Sequence, residues 1–229
     1  MTPPPLLLLH GALGSAEQFE ALMPLLPEDR SIWALNLPGH GGLPLREPLS
    51  MPLFAQAVLD FLDREEWDEA DIFGYSMGGY AALQFALLHP DRVRGVVTLG
   101  TKFDWTPESA AKEIAMLDPA KIEAKVPQFA AALAERHAPT DWKALLDATA
   151  GLLHGLGHGA ALTQADFGKI EAPVVIMRGE LDQMVTETES RQVAEWLPDG
   201  MFETLPATKH VFEQVDTAML AGRLLKIIG

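Results

Sequence analysis

Short apolar runs alternate with helical patterns along most of this chain, and this alternation restricts its fold more than any other feature. One helical pattern places Phe54, Val58 and Phe61 at positions i, i+4 and i+7, which gives a single apolar face. Parallel strands need crossover connections, which are usually helical, so the alternation predicts an α/β fold with a mostly parallel sheet of about six strands flanked by helices. The apolar runs typical of strands are residues 6–9, 31–35, 70–73, 93–99, 174–177 and 201–205.

The alternation stops between residues 103 and 169, where the pattern favours several short helices and no strand. We predict a core formed by residues 1–102 and 170–229, and a helical cap of residues 103–169 inserted before the penultimate strand. A segment that leaves and re-enters the sheet at the same edge lies over the crevice at the carboxyl ends of the strands, so the cap is a candidate lid. The residues that punctuate its helices are Pro107, Pro119, Pro127, Pro139 and Gly151.

Charge and composition narrow the classes of partner. The chain has 32 acidic and 17 basic residues, a formal net charge of −15, which repels nucleic acid and anionic lipid headgroups. We therefore expect no nucleic-acid and no membrane partner. Because the chain has no cysteine, it has no disulfide, no thiolate nucleophile and no cysteine-ligated metal. The apolar run at residues 6–9 follows no basic residue and is too short for a signal peptide or a membrane span, which predicts a cytoplasmic location.

The strongest chemical signal is a glycine-flanked serine in the segment Gly74-Tyr-Ser-Met-Gly78. A strand-like run precedes this segment and a helical run follows it, which is the context that a G-x-S-x-G nucleophile turn requires and that a chance match would lack. The glycines two positions either side of Ser76 avoid collisions in a sharp turn. Because Ser76 stands at a helix N-terminus, we predict that it is a nucleophile and that the Met77 N–H is an oxyanion donor.

A serine hydroxyl is a weak nucleophile at neutral pH, so it needs a base, and the chain offers seven histidines. His210 follows the last strand through a short loop, which places it at the carboxyl end of the sheet, where Ser76 also lies. We predict that His210 is the base. The other histidines are interpreted as structural; they are His10, His40, His89, His137, His154 and His158.

The acid that orients the histidine is expected on another loop at this edge of the sheet. Asp182 follows the strand at residues 174–177 through four residues, and this position favours it. Glu180, in the same loop, and Asp104, after the strand that ends near Leu99, are alternatives.

The segment His10-Gly-Ala-Leu-Gly14 directly follows the first strand, and its small residues allow a backbone N–H to approach a bound carbonyl closely. We predict that Ala12 is the second oxyanion donor and that Leu13 contacts substrate. In the cap, Phe103 and Trp105 are candidates for an apolar substrate pocket, with packing of the cap onto the core as the alternative. Three further cap residues belong to the same set: Met116, Phe129 and Trp142.

Taken together, these segments resemble the α/β-hydrolase superfamily. The resemblance implies a triad of Ser76, Asp182 and His210, oxyanion donors at Ala12 and Met77, and no cofactor. Two departures are a sheet that begins at the family's usual third strand and Asn36 in place of a common aspartate. Serine at the nucleophile position also disfavours relatives that use aspartate there, such as epoxide hydrolases and haloalkane dehalogenases. The matching segments, in the family's order, are HGALGS, NLPGHGG, GYSMGG, APVVIMRGELDQMV and TLPATKH.

The resulting hypothesis is a serine hydrolase that cleaves a small to medium apolar carboxylic ester or thioester through an acyl-enzyme. One alternative is a lyase or carbon–carbon bond hydrolase of the menaquinone-pathway type. Tyr80 weighs against it, because an arginine commonly stands there in that group, and the insertion contributes only Arg136. Another alternative is a ligand receptor on the same fold. No spacing of histidines and carboxylates predicts a metal site, and the sequence does not specify an oligomeric state.

Overall fold

A computed structural model describes residues 3–228 of the chain; residues 1, 2 and 229 of the predicted core lie outside the described residues. Six strands form one sheet in the order β2-β1-β3-β4-β5-β6, and every neighbouring pair is parallel. The predicted α/β fold with about six strands is confirmed. The strands are β1 (Leu6–Leu9), β2 (Ile32–Leu35), β3 (Ala70–Tyr75), β4 (Val93–Leu99), β5 (Val174–Gly179) and β6 (Gly200–Leu205).

Helices connect the strands and cover both faces of the sheet. Short 3-10 helices occupy Ala16–Phe19, Met23–Leu25, Pro90–Arg92 and Phe212–Gln214, and a π-helical turn occupies Leu156–Ala160. The α-helices are α1 (Met51–Arg64), α2 (Met77–Leu88), α3 (Pro107–Ile114), α4 (Pro119–Lys125), α5 (Pro127–His137), α6 (Trp142–Gly155), α7 (Gln164–Phe167), α8 (Glu187–Trp196) and α9 (Thr217–Ile228).

The central strands β1 and β3 are buried on both faces, which explains why their apolar side chains do not alternate with exposed polar ones. On one face, Leu7 and Ile72 pack in a single apolar cluster with α1, α2 and α8. On the other face, Leu8 and Phe73 pack with α9 and the 3-10 helix at Ala16–Phe19. The edge strands β2 and β6 keep partly exposed side chains.

The segment predicted to form the cap contains α3 to α7 and lies between β4 and the penultimate strand β5. Its core side chains, including Leu133 of α5 and Leu145 of α6, are completely buried. They belong to the same apolar cluster as Leu7 of β1 and Phe54 of α1. The cap therefore continues the hydrophobic core on that side of the sheet.

The strand order determines where a site forms. The chain leaves β1 toward β2 on one side and leaves β3 toward β4 on the other, although β1 and β3 are neighbours in the sheet. Connections that diverge in this way open a crevice at the carboxyl ends of the two strands, where ligands bind in open α/β sheets.

Candidate active site

Ser76 stands in the sharp turn between β3 and α2. Its φ of +51° and ψ of −116° are unusual for a residue with a side chain, and such strain is typical of residues whose position is imposed by their surroundings. A side chain at Gly74 would collide with the backbone of Gly78 and Gly79, and one at Gly78 with the backbone of β1. The glycines of the motif are thus required by close packing.

Ser76, His210 and Asp182 come together at the carboxyl edge of the sheet. The distance from Ser76 Oγ to His210 Nε2 is 3.4 Å, and His210 Nδ1 lies 2.8 Å from Asp182 Oδ2. Because the carboxylate accepts the proton on Nδ1, Nε2 is left free to accept a proton from the serine. The 3.4 Å distance to Ser76 Oγ lies at the long end of the range for a hydrogen bond.

The Asp182 carboxylate is buried and well supplied with hydrogen-bond donors. Its Oδ1 accepts from the N–H groups of Met184 at 2.8 Å and Val185 at 3.0 Å. Burial acts to raise the pKa of Asp182, but the hydrogen bond and charge of His210, together with these N–H groups, outweigh it and lower the pKa below its usual value. Arg178 holds the loop by donating to the Asp182 carbonyl at 2.6 Å.

Neither alternative acid contacts His210. Glu180 is exposed, and its Oε2 accepts from the Ala207 N–H at 2.8 Å, which gives it a role in the loop that precedes His210. Asp104 is exposed and lines a different cavity. Among the three carboxylates considered, Asp182 is the one bonded to the histidine.

The loop after β1 brings Ala12 to the same cavity as Ser76, Met77 and His210. Gly11 packs so closely on the ring of Tyr75 that an added Cβ would lie 2.7 Å from a ring carbon. The Gly11 N–H is bound by Gln18, whose Oε1 accepts it at 3.1 Å. Ala12 and Met77 therefore line the same cavity as Ser76, and their roles as oxyanion donors stay predictions.

The cavity at Ser76 has a volume of about 160 Å³ and a mostly apolar lining that includes Met51, Leu117 and Leu153. Lys102 and Glu113 also line it, and their charged groups are 3.8 Å apart, so the two charges largely offset each other. A larger surface cleft of about 510 Å³ is lined by residues that include Gly14, Ser15 and Arg136, and none of the three triad candidates lines it.

The residues predicted to contact substrate lie in different parts of the structure. Trp105 and Met116 line the cavity at Ser76, whereas Phe103 lines a neighbouring cavity. Leu13 and Trp142 are buried in the core cluster. The remaining candidate, Phe129, is 41% exposed on the cap. A direct substrate contact by Leu13, Phe103 or Trp105 stays a prediction.

Sequence reasoning did not single out several residues that support this site. The Tyr75 hydroxyl donates to the His210 carbonyl oxygen at 2.6 Å, and Thr101 Oγ1 donates to the Ser76 carbonyl at 3.0 Å. Gly100 has a φ of +64°, and an added Cβ would lie 3.3 Å from Asp182 Oδ2. Its position directly after β4 was the available signal, because a glycine at a strand end often marks a close backbone approach.

Three histidines form a separate buried cluster beside the loop that carries Ala12. The ring centroids of His10 and His40 are 4.9 Å apart, and those of His40 and His137 are 5.6 Å apart. Burial lowers the pKa of His10 to about 4, and it also lowers the pKa of His40 and His137. These rings are therefore neutral at physiological pH.

The chain belongs to the α/β-hydrolase family. A sequence model of the family described as "alpha/beta hydrolase fold" matches residues 4–151. Among solved structures, NosK from Streptomyces actuosus superimposes with a TM-score of 0.84 at 23% identity, over 98% of this chain and 96% of that one. This likeness agrees with the fold described above.

Curated relatives with sequence similarity include two that are named as esterases. A pimeloyl-(acyl-carrier protein) methyl ester esterase of Neisseria meningitidis is 40% identical over 89 residues, 39% of this chain and 33% of that protein. A protein of the same name from Aromatoleum aromaticum is 39% identical over 113 residues, 48% of this chain and 43% of that protein. The matches thus span less than half of the length of these relatives.

Residues 3–228 lack two features, a helix able to span a membrane and a cluster of metal-binding side chains. Within this range, no helix has the length and apolar character that a membrane crossing demands. The same range contains no group of three or more histidine, cysteine, aspartate or glutamate side chains arranged to hold a metal ion.

Proposed function

We propose that the chain is a serine hydrolase that cleaves a small to medium carboxylic ester or thioester through an acyl-enzyme intermediate. The observation that carries the proposal is the pair of contacts that His210 makes, one with Ser76 Oγ and one with Asp182 Oδ2. This arrangement activates a serine for acyl transfer. The names of the similar esterases support ester cleavage and do not favour the lyase or receptor alternatives.

Acylation begins when Ser76 Oγ attacks the carbonyl carbon of the ester and its proton passes to His210 Nε2. The carbonyl oxygen becomes an oxyanion, and the N–H groups of Ala12 and Met77 stabilise it by hydrogen bonds. The intermediate collapses as His210 gives the proton to the leaving alcohol or thiol. The bond between the acyl carbon and the leaving group breaks, and Ser76 remains acylated.

Deacylation repeats these steps with water as the nucleophile. His210 takes a proton from the water, whose oxygen attacks the acyl carbon, and then returns the proton to Ser76 Oγ as the carboxylic acid leaves. Asp182 stays ionised, because its pKa is held below its usual value, and it stabilises the imidazolium form of His210 in both halves of the reaction.

The size and lining of the cavity favour a substrate with a small, neutral group next to the scissile bond. Its volume of about 160 Å³ is below the roughly 300–1,000 Å³ of clefts that hold drug-sized ligands. The pairing of Lys102 with Glu113 leaves no unopposed charge to bind an ionic substrate. Because the similar esterases are named for a methyl ester, methyl butyrate belongs in the substrate panel.

The proposal is tested by the release of p-nitrophenol from acetate, butyrate and octanoate esters. We expect sustained turnover by the wild type and a loss of at least about 10⁴-fold in Ser76→Ala, because removing a triad member abolishes the acyl-enzyme route. Ser31→Ala, at an exposed serine remote from the site, is the matched control and should retain full turnover. Circular dichroism checks that all three proteins are folded.

Turnover that persists in folded Ser76→Ala would exclude Ser76 as the nucleophile, and no turnover of any ester by the wild type would exclude the esterase. Better turnover of negatively charged esters, such as succinate half-esters, would contradict the neutral substrate.

A further inference from the structure

The end of cap helix α5 contacts the loop that carries Ala12. Arg136 Nη1 donates a hydrogen bond to the Leu13 carbonyl oxygen at 2.8 Å, and His137 Nε2 lies 3.1 Å from the same oxygen. Leu13 has a φ of +59°, a left-handed conformation that a leucine keeps only where its surroundings hold it. Two donors from one helix therefore support a strained peptide in this loop.

These bonds reach Ala12 through two planar peptide groups. The Leu13 carbonyl and the Gly14 N–H belong to one plane, and this N–H donates to the Gly11 carbonyl oxygen at 3.1 Å. The Gly11 carbonyl and the Ala12 N–H belong to the next plane. Fixing the carbonyl of a planar peptide fixes the direction of its N–H, so the end of α5 helps to determine where the Ala12 N–H points.

The protonation of His137 is set by its second contact. The Gly41 N–H donates to His137 Nδ1 at 3.1 Å, so Nδ1 carries no proton and Nε2 donates its proton to the Leu13 carbonyl. The ring is completely buried, and burial favours this neutral form. His137 thus joins three separate segments: the cap, the loop after β1 and the loop at Gly41.

His10 completes the support from the core side. The Leu37 N–H donates to His10 Nε2 at 3.1 Å, so Nδ1 carries the proton and donates to the Gly11 carbonyl oxygen at 2.8 Å. The Gly11–Ala12 peptide is therefore held by His10 directly and by the cap through Gly14.

We propose that Arg136 and His137 are positioning residues for catalysis, which orient the oxyanion-donating N–H of Ala12 from the end of the cap. The inference rests on the proposed function, because the Ala12 N–H is an oxyanion donor only in that reaction. The cap then both walls the substrate cavity and supports the stabilisation of the transition state. Neither residue lines the cavity at Ser76, so their effect on the reaction is indirect.

Two substitutions at one position separate the contacts of His137. In His137→Gln, the side-chain N–H reaches the place of Nε2 and keeps the bond to Leu13. In His137→Asn, the shorter side chain places its oxygen near Nδ1 and keeps only the bond from Gly41.

Two substitutions at Arg136 form a second pair: Arg136→Lys keeps a hydrogen-bond donor and Arg136→Met lacks one. Glu135→Gln, at an exposed neighbour on α5, is the control.

With p-nitrophenyl butyrate, we expect kcat to fall about tenfold in His137→Asn and in Arg136→Met, with KM within about twofold of the wild type. Complete loss of an oxyanion donor costs roughly 10²–10³-fold in kcat, and a misdirected donor costs less. His137→Gln and Arg136→Lys should stay within about threefold, and Glu135→Gln should match the wild type. A merely structural role would lower Tm without this division between kcat and KM.

Hydrogen–deuterium exchange of the amides at residues 11–14 gives a readout that needs no turnover. We expect faster exchange in His137→Asn than in His137→Gln, and in Arg136→Met than in Arg136→Lys. Equal kcat and equal exchange within both pairs would overturn the positioning role and leave Ser76-dependent turnover, and so the proposed function, intact. A wild type without turnover would reject the proposed function instead. If His137→Asn does not fold, the pair at Arg136 decides.

Discussion

His210 and the buried histidines His10, His40 and His137 lie at the same edge of the sheet but have different partners. His210 bonds to the Asp182 carboxylate through one nitrogen and turns the other toward Ser76 in the cavity. The three buried rings have backbone partners, and burial lowers the pKa of each. His10, His40 and His210 stand in loops, whereas His137 is the last residue of α5.

The difference in partners supports the proposed role of His210 as the base. A carboxylate that faces one nitrogen stabilises the imidazolium formed during the reaction, whereas a backbone N–H that faces a nitrogen keeps that nitrogen unprotonated. His10 and His137 each accept such an N–H, from Leu37 and Gly41 respectively. They therefore serve as neutral connectors between loops, and His210 alone of the four has the partners for proton transfer.

The largest expected effect comes from removing the negative charge of Asp182, the partner that distinguishes His210 from the buried histidines. We expect Asp182→Asn to reduce kcat by about 10⁴-fold, because an amide there can stabilise the wrong tautomer of the histidine and offers no charge to the imidazolium. The measurement is steady-state hydrolysis of p-nitrophenyl butyrate. Glu180→Gln, in the same loop, should retain turnover within a few-fold; a loss as large as that of Asp182→Asn would assign the acid role to Glu180.

A smaller effect is expected from the buried histidines on stability. The native state keeps His10 neutral down to a pKa of about 4, whereas in the unfolded chain His10 titrates near its ordinary value of 6.5. Stability is complete above pH 6.5 and falls as the pH decreases toward 4, because the unfolded state takes up a proton that the native state does not. Between pH 7.5 and pH 5, His10 alone should lower the free energy of unfolding by about 2 kcal/mol.

Urea unfolding at pH 7.5, 6.5 and 5 measures this dependence. His10→Gln removes one titrating group, so its stability should be lower at pH 7.5 but should change less with pH than that of the wild type. The same slope in both proteins would show that His10 is protonated in the folded state, and the contrast with His210 would no longer hold.

The smallest effect is expected for Tyr75→Phe. Its hydroxyl donates to the His210 carbonyl at 2.6 Å, and we expect this bond to orient the histidine without entering the reaction. Losing one such hydrogen bond costs about 1 kcal/mol, so kcat should fall about fivefold with little change in KM. A fall in kcat of more than about 100-fold would show that Tyr75 takes part in the reaction. His210 would then have more than positioning contacts outside Ser76 and Asp182.

The fold was readable from the sequence because strand periodicity and helix signals are local. The runs at residues 6–9 and 93–99 are β1 and β4 without change, and the other four differ from their strands by one or two residues at one end. The strand β3 extends beyond its apolar run through Gly74 to Tyr75, because pairing with β4 continues to Leu99. Such extensions depend on the neighbouring strand and leave no trace in the segment itself.

The proximity of Ser76, Asp182 and His210 was also predictable, since each follows a strand directly or through a short loop, and parallel strands end at one edge. The residues that line the cavity were harder to predict from the sequence. Lys102 lines the cavity and its neighbour Phe103 does not, a choice set by how the cap helices pack on the core. The bonds to the Leu13 carbonyl were not visible either, because a backbone acceptor has no residue type to mark it.

The position of His210 after an edge strand connects the reaction to partial unfolding. Among the strands of residues 3–228, β6 pairs with β5 alone, whereas β3, which leads to Ser76, lies between two strands. Edges open more readily than centres, and a local opening of β6 would separate His210 from Ser76 while the middle of the sheet stays paired. As denaturant or temperature rises, the proposed turnover should therefore be lost before the protein unfolds globally. Turnover would then report on the opening of the sheet edge.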